Sequence, residues 1–139
     1  MTRLVPFLLA PLVLVLAPLS ATADMEPGSW QLTVQAGVTG APPMPAQTRT
    51  QCLKPGDGDP GQIFGPSSDP NCKFSNKNDT GSEFTFSVSC NGPVTVNGSG
   101  RVQYARDTMT ADMELHGEAS GQRFSTTSHV TGRRVGPCN

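Results

Sequence analysis

The sequence predicts an all-β fold: a curved antiparallel meander of about seven strands, barrel-like or half-barrel, held by two disulfides. Three observations predict it. Apolar residues recur with period two through most of the chain after residue 23, as in strands with one buried face. No segment there sustains a helical period. Four cysteines, an even number, stand in a short chain of 139 residues that opens like an exported protein.

Residues 1–23 read as a cleaved signal peptide. Arg3 supplies the positive start, "LVPFLLAPLVLVLAPL" is the apolar stretch, and Ala21-Thr22-Ala23 puts small residues where signal peptidase cuts. The apolar run is too short, and too interrupted by Pro6, Pro11 and Pro18, to serve well as a spanning helix. The chain is therefore expected to be exported, with a single domain over 24–139 and no transmembrane segment after cleavage. Removing Arg3 leaves nine Lys plus Arg against eleven Asp plus Glu, a net charge of −2. The charges are scattered, so nothing suggests nucleic acid or an anionic membrane as a partner.

The first strand is "WQLTVQAGV", with Trp30, Leu32, Val34, Ala36 and Val38 on one side. A Pro-rich loop, "GAPPMPAQ", leads to a weak strand, "QTRTQC", ending at Cys52. Residues 53–71 are packed with Gly, Pro and Asp and form no regular element. Ile63 and Phe64 are placed there to dock the loop onto the core as a lid. In the second half, Phe84, Phe86 and Val88 share a face, as do Val94, Val96, Val102 and Tyr104. So do Met109, Ala111, Met113 and Leu115, and then Phe124 and Val130.

Residues facing each other in an antiparallel pair share a side of the sheet, which allows registers to be proposed. Tyr104 opposite Met109 leaves Arg106-Asp107 as a two-residue turn. Leu115 opposite Phe124 leaves "EASG". Val88 opposite Val96 makes "NGP" the turn and lays Phe86 and Phe84 across from Gly98 and Gly100. Aromatic rings over bare glycine backbone imply strong coiling there.

Cys72 and Cys90 lie symmetrically about Gly81. In a symmetric hairpin they face each other at about 4.5 Å between Cα atoms, within reach of a disulfide. Cys52–Cys138 would then tie the second strand to the C-terminus. The rival pairing is Cys52–Cys72 with Cys90–Cys138, and the sequence alone leaves it open. Close pairs such as C-x-x-C are missing, so neither a zinc site nor a redox site is expected from the cysteines.

Other chemistry is sparse. His116 and His129 fall on polar faces, with His129 expected opposite Thr110 and diagonal to Asp112. Ser128 points to the other side from His129, and no nucleophile elbow accompanies them, so no enzyme is expected. Met44, Met109 and Met113, with Met25 as a fourth sulfur, suggest a soft-metal (copper-type) alternative that His116 or His129 would join. Met109 and Met113 equally suit a core. Asp57 and Asp59 in "GDGDPG" lack the later ligands of a calcium loop. Arg133-Arg134 reads as a solvated strand end. A curved sheet lined by Phe84, Phe86, Val94, Val96, Val102 and Tyr104 offers an interior where a small apolar ligand would sit, unless those side chains fill it.

Taken together, Pro27-Gly28-Ser29-Trp30, the Pro/Met loop, "QCL", a cysteine pair bracketing a hairpin, "GSG" in a strand, and Gly132 to Cys138 ("GRRVGPC") resemble domain-of-unknown-function family 3617, small exported proteins of Gram-negative bacteria. The resemblance covers essentially the whole chain after residue 23. It implies a periplasmic, all-β domain and brings no activity with it. The loop here holds a single methionine where members often carry several, which weighs against a metal reading taken from the resemblance. The expectation is a non-enzymatic binding or structural module without cofactor. Its partner is a small apolar ligand or another protein, and the ligand-binding residues are unassigned.

Overall fold

A computed structural model describes residues 24–58 and 70–139. The signal-peptide expectation for 1–23, the lid role of Ile63 and Phe64, and Asp59 lie outside the described residues. Seven strands form one antiparallel sheet: β1 (Gly28–Val38), β2 (Gln47–Leu53), β3 (Cys72–Asp79), β4 (Glu83–Cys90), β5 (Val94–Tyr104), β6 (Thr108–Ala119) and β7 (Gln122–Gly136). Their order across the sheet is β2-β1-β7-β6-β5-β4-β3. From β3 to β7 the chain is a plain meander, and the β1–β2 hairpin adds itself alongside β7. The sheet does not close into a barrel, so β2 and β3 are its two edges.

Curvature is visible in what meets on the inner face. Leu53 from one edge strand lies in the same buried cluster as Phe84 and Phe86, against which Phe74 of the opposite edge packs. A flat sheet would hold these strands far apart, since neighbouring strands are spaced about 4.8 Å. Gly100 lets the sheet coil, because a Cβ there would run into the ring of Phe86 across the β4–β5 pair. Gly117 stands in the same relation to Phe124 across β6–β7. In both places the aromatic ring covers bare backbone and makes the packing that a side chain would otherwise supply.

The buried cluster occupies the end of the sheet where β1 and β6 begin. It comprises Met25, Trp30, Leu32, Leu53, Phe84, Phe86, Val102, Tyr104, Met109, Ala111 and Val130. Residues 24–27 close that end. Met25 is 1% exposed, and its N–H donates to the carbonyl of Gly58 at 3.3 Å. Glu26 N–H donates to the Arg106 carbonyl at 2.7 Å, and the Trp30 indole N–H donates to the Glu26 carbonyl at 2.9 Å. Toward the other end burial thins out: Val34, Ala36, Val38, Met113, Leu115 and Phe124 are half-buried and Val94 is exposed.

The disulfides are Cys72–Cys90 and Cys52–Cys138. Cys72 pairs directly with Cys90, with Cα atoms 4.0 Å apart, and Phe74 pairs with Val88 as the symmetric hairpin requires. Cys52–Cys138 joins edge strand β2 to the tail after β7, past the start of β1 that lies between them. One staple holds each edge, at opposite ends of the sheet.

Two registers differ from expectation by two residues. Phe86 faces Gly100 and Val88 faces Gly98, whereas the sequence reading set Phe86 against Gly98 and Val88 against Val96. Leu115 faces Thr126 and Gly117 faces Phe124, so the β6–β7 turn is Ser120-Gly121 rather than "EASG". Both turn residues have positive φ, 52° and 75°, the pattern of a tight hairpin turn that twists with its strands. The β5–β6 register, Tyr104 against Met109 and Val102 against Ala111, is as expected.

Candidate functional site

β1 is longer than its partner β2. Their pairing ends at Val34–Gln47, so Gln35 to Val38 are held by β7 alone, and the 39–46 connection turns back beside them. That connection starts with a turn in which Ala41 N–H donates to the Val38 carbonyl at 3.0 Å, while Thr39 N–H donates to Ser125 at 2.9 Å. A solvent-open recess of ≈640 Å³ results, within the range of small-ligand sites. Ala36, Val38, Ala41, Pro43, Met44 and Met113 give it apolar lining. Gln35, Asp112, Glu114, Thr127 and His129 also border it, on the opposite side of the sheet from the side chains of Ala36, Val38 and Met113. Met44, 43% exposed, stands at its rim.

The two-residue change in the β6–β7 register relocates His129. It faces Asp112 directly rather than Thr110, and its Nδ1 lies 2.6 Å from Asp112 Oδ1. His116 meets Glu114 on its own strand, Nε2 to Oε1 at 3.2 Å. All four side chains are exposed. Such pairs in full solvent contribute little to stability. Ser128 lies in the adjacent position of β7, which directs its side chain to the opposite side of the sheet from His129.

The methionines separate into two groups. Met25 and Met109 belong to the buried cluster, Met109 lying against Gly132 beside Leu32. Met44 and Met113 both border the recess. Met113 also packs against the buried cluster, so of the four thioethers considered for a soft metal only Met44 stands apart from the core. Among the described residues, no group of three or more His, Cys, Asp or Glu stands where it would hold a metal ion.

Of the side chains considered as interior ligand contacts, Phe84, Phe86, Val102 and Tyr104 are packed into the cluster with exposures of 0–7%. They fill the interior that a ligand would need. Val94 and Val96 lie nearer the open end. Asp57 serves its own turn: its carboxylate accepts from Lys54 N–H at 3.0 Å. The two arginines part company. Arg133 donates to Gln31 Oε1 at 3.3 Å on the outer face, while half-buried Arg134 donates from Nε to the Pro27 carbonyl at 2.8 Å.

The recess residues of β1 and its loop carry no reactive group, so a search for chemistry passes over them. The one sequence signal is the thioether of Met44 amid prolines.

This is an all-β domain with both edges stapled by disulfides, a construction suited to an oxidising compartment. The family model described as "Protein of unknown function (DUF3617)" matches residues 25–138, and the chain belongs to that family. No curated protein and no solved structure matches it.

Proposed function

We propose that the protein is an exported, periplasmic, non-enzymatic binding module that takes a small, largely apolar ligand in the recess beside the β1–β2 loop. The observation that carries this reading is the recess itself, in which Val38, Pro43 and Met44 expose apolar surface beside strands whose own core is already filled. An exposed, concave apolar patch rimmed by polar groups is the usual mark of an interaction site. Export is supported by the two disulfides and by the N-terminal sequence. The non-enzymatic reading rests on the cysteines, all bonded, and on His129 and Ser128 pointing to opposite sides of β7.

Native mass spectrometry of protein purified from the periplasm tests this. The expected result is a noncovalent adduct of lipid-like mass on the two-disulfide protein, lost when Met44→Asp puts a charge at the rim. An adduct retained in Met44→Asp, or bare protein throughout, would contradict it. Soft-metal binding is a second reading, favoured by Met44 and Met113 bordering one recess. It predicts stoichiometric copper(I) retention that Met44→Leu abolishes.

A further inference from the structure

Peroxides oxidise thiolates and methionine thioethers. All four cysteines are bonded, so the thioethers are the sulfur atoms open to such chemistry. Of the methionines after residue 23, Met25 is 1% exposed and Met109 4%, and Met113 is half-buried against the same cluster. Met44 is 43% exposed. Pro43 and Pro45 flank it, and a residue before proline is held extended, so a restrained backbone carries this thioether at the rim of the recess.

We propose that Met44 is a reversible oxidation site: hydrogen peroxide converts its thioether to the sulfoxide ahead of the other three, and the sulfoxide expels an apolar ligand from the recess. In this step a sulfur lone pair attacks one peroxide oxygen, and the S–O bond forms as the O–O bond breaks. The departing hydroxide takes the proton left on the transferred oxygen and becomes water. Sulfur gives up two electrons and the peroxide is reduced. A thiol-dependent methionine sulfoxide reductase reverses the change, two thiols becoming a disulfide as the oxygen leaves in water.

The order of oxidation follows from access. Peroxide reaches Met44 without any movement of the chain. At Met25 and Met109 the closed end of the sheet must open first, because Met25 N–H is bonded to the Gly58 carbonyl and Met109 lies against Gly132 beside Leu32. The release of ligand follows from polarity. A thioether packs as an apolar group, whereas a sulfoxide is polar. Ala36, Val38, Ala41 and Pro43 offer that oxygen no side-chain donor, so an apolar ligand closing over it would strip it of water without replacement. The release rests on the recess being the ligand site; the order of oxidation does not.

The test treats disulfide-intact protein, freed of bound material, with hydrogen peroxide, and follows its peptides by mass after digestion without reduction. Met44 is expected to gain oxygen at least about tenfold faster than Met25, Met109 or Met113, and the four rates are expected to converge in urea. Any of the three matching Met44 in the folded protein, or an unchanged ratio in urea, overturns the site. Binding of dansyl undecanoic acid is then titrated before and after treatment. Oxidised wild type is expected to bind about tenfold more weakly, while Met44→Leu, which keeps an apolar side chain and has no sulfur there, binds equally before and after. An equal loss in Met44→Leu, or no loss in the wild type, overturns the release. A wild type that never binds the probe refutes the recess reading and the release with it, while the order of oxidation stands on the masses alone.

Discussion

Replacing Gly100 by alanine places a methyl group where the ring of Phe86 already lies. The nearest ring atoms come closer to that Cβ than van der Waals contact allows, and Phe86 is 4% exposed with Phe84 and Phe74 both 5.6 Å away between ring centroids. The ring has nowhere open to go. In an ordinary strand position, glycine to alanine stabilises by about 0.5–1 kcal/mol. Overpacking a filled core costs about 1–3 kcal/mol, so the expected net is a loss of about 1–2 kcal/mol. For a domain of this size that is a fall of about 4–8 °C in Tm. Gly92→Ala is the control, because the nearest atom to its added Cβ is 3.9 Å away and no positive φ is involved. It is expected to be neutral or slightly stabilising. Urea unfolding with intact disulfides gives the comparison, and Phe86→Leu in the same background should recover about 1 kcal/mol of the Gly100→Ala loss. Gly98→Ala should gain no such recovery, since its neighbours are Leu115 and the Glu114 carbonyl. If Phe86→Leu relieves Gly98→Ala instead, the β4–β5 register is the one two residues away and the account of curvature fails.

Three further outcomes follow from the same geometry. Removing Cys52–Cys138, which spans 86 residues, should cost about 4.5 kcal/mol, and removing Cys72–Cys90, which spans 18, about 3 kcal/mol; chemical denaturation of the paired Cys→Ser variants checks the order. Tyr104→Phe deletes a phenol that donates to Asp79 Oδ1 at 2.5 Å and should cost about 1 kcal/mol, read as a lower urea midpoint at unchanged slope. Ser120→Asn, at a positive-φ turn position before Gly121, should raise Tm, because asparagine accepts that backbone conformation more readily than serine.

The elements whose registers were legible in the sequence carried a local pin. Cys72 and Cys90 mark their own pairing, and Tyr104 and Met109 are joined by so short a turn that little choice remains. Where no pin existed, alternation gave the correct face and the wrong partner. A slip of two residues returns every side chain to the same side, so parity cannot detect it. That is why Phe86 was set against Gly98 and His129 against Thr110, each two residues from its true neighbour. The recess was illegible for a different reason. It is made by the early end of the β1–β2 pairing and by β6 and β7 arriving beside it from some 75 residues downstream. Met44 stands out in the sequence as a thioether amid prolines, but Val38 and Pro43 become a surface beside it only when the sheet is assembled.

The most direct test of where the protein binds uses its methionines as reporters. Protein labelled with ¹³C-methyl methionine would be compared as purified and after organic extraction of bound material. Met25 and Met109 lie in the core, whereas Met44 and Met113 border the recess. The account predicts that extraction shifts the Met44 methyl resonance and leaves Met25 and Met109 in place. Shifts confined to Met25 and Met109 would put the ligand inside the sheet, and a spectrum unchanged at all four would mean that the recess carried no ligand; either result contradicts it.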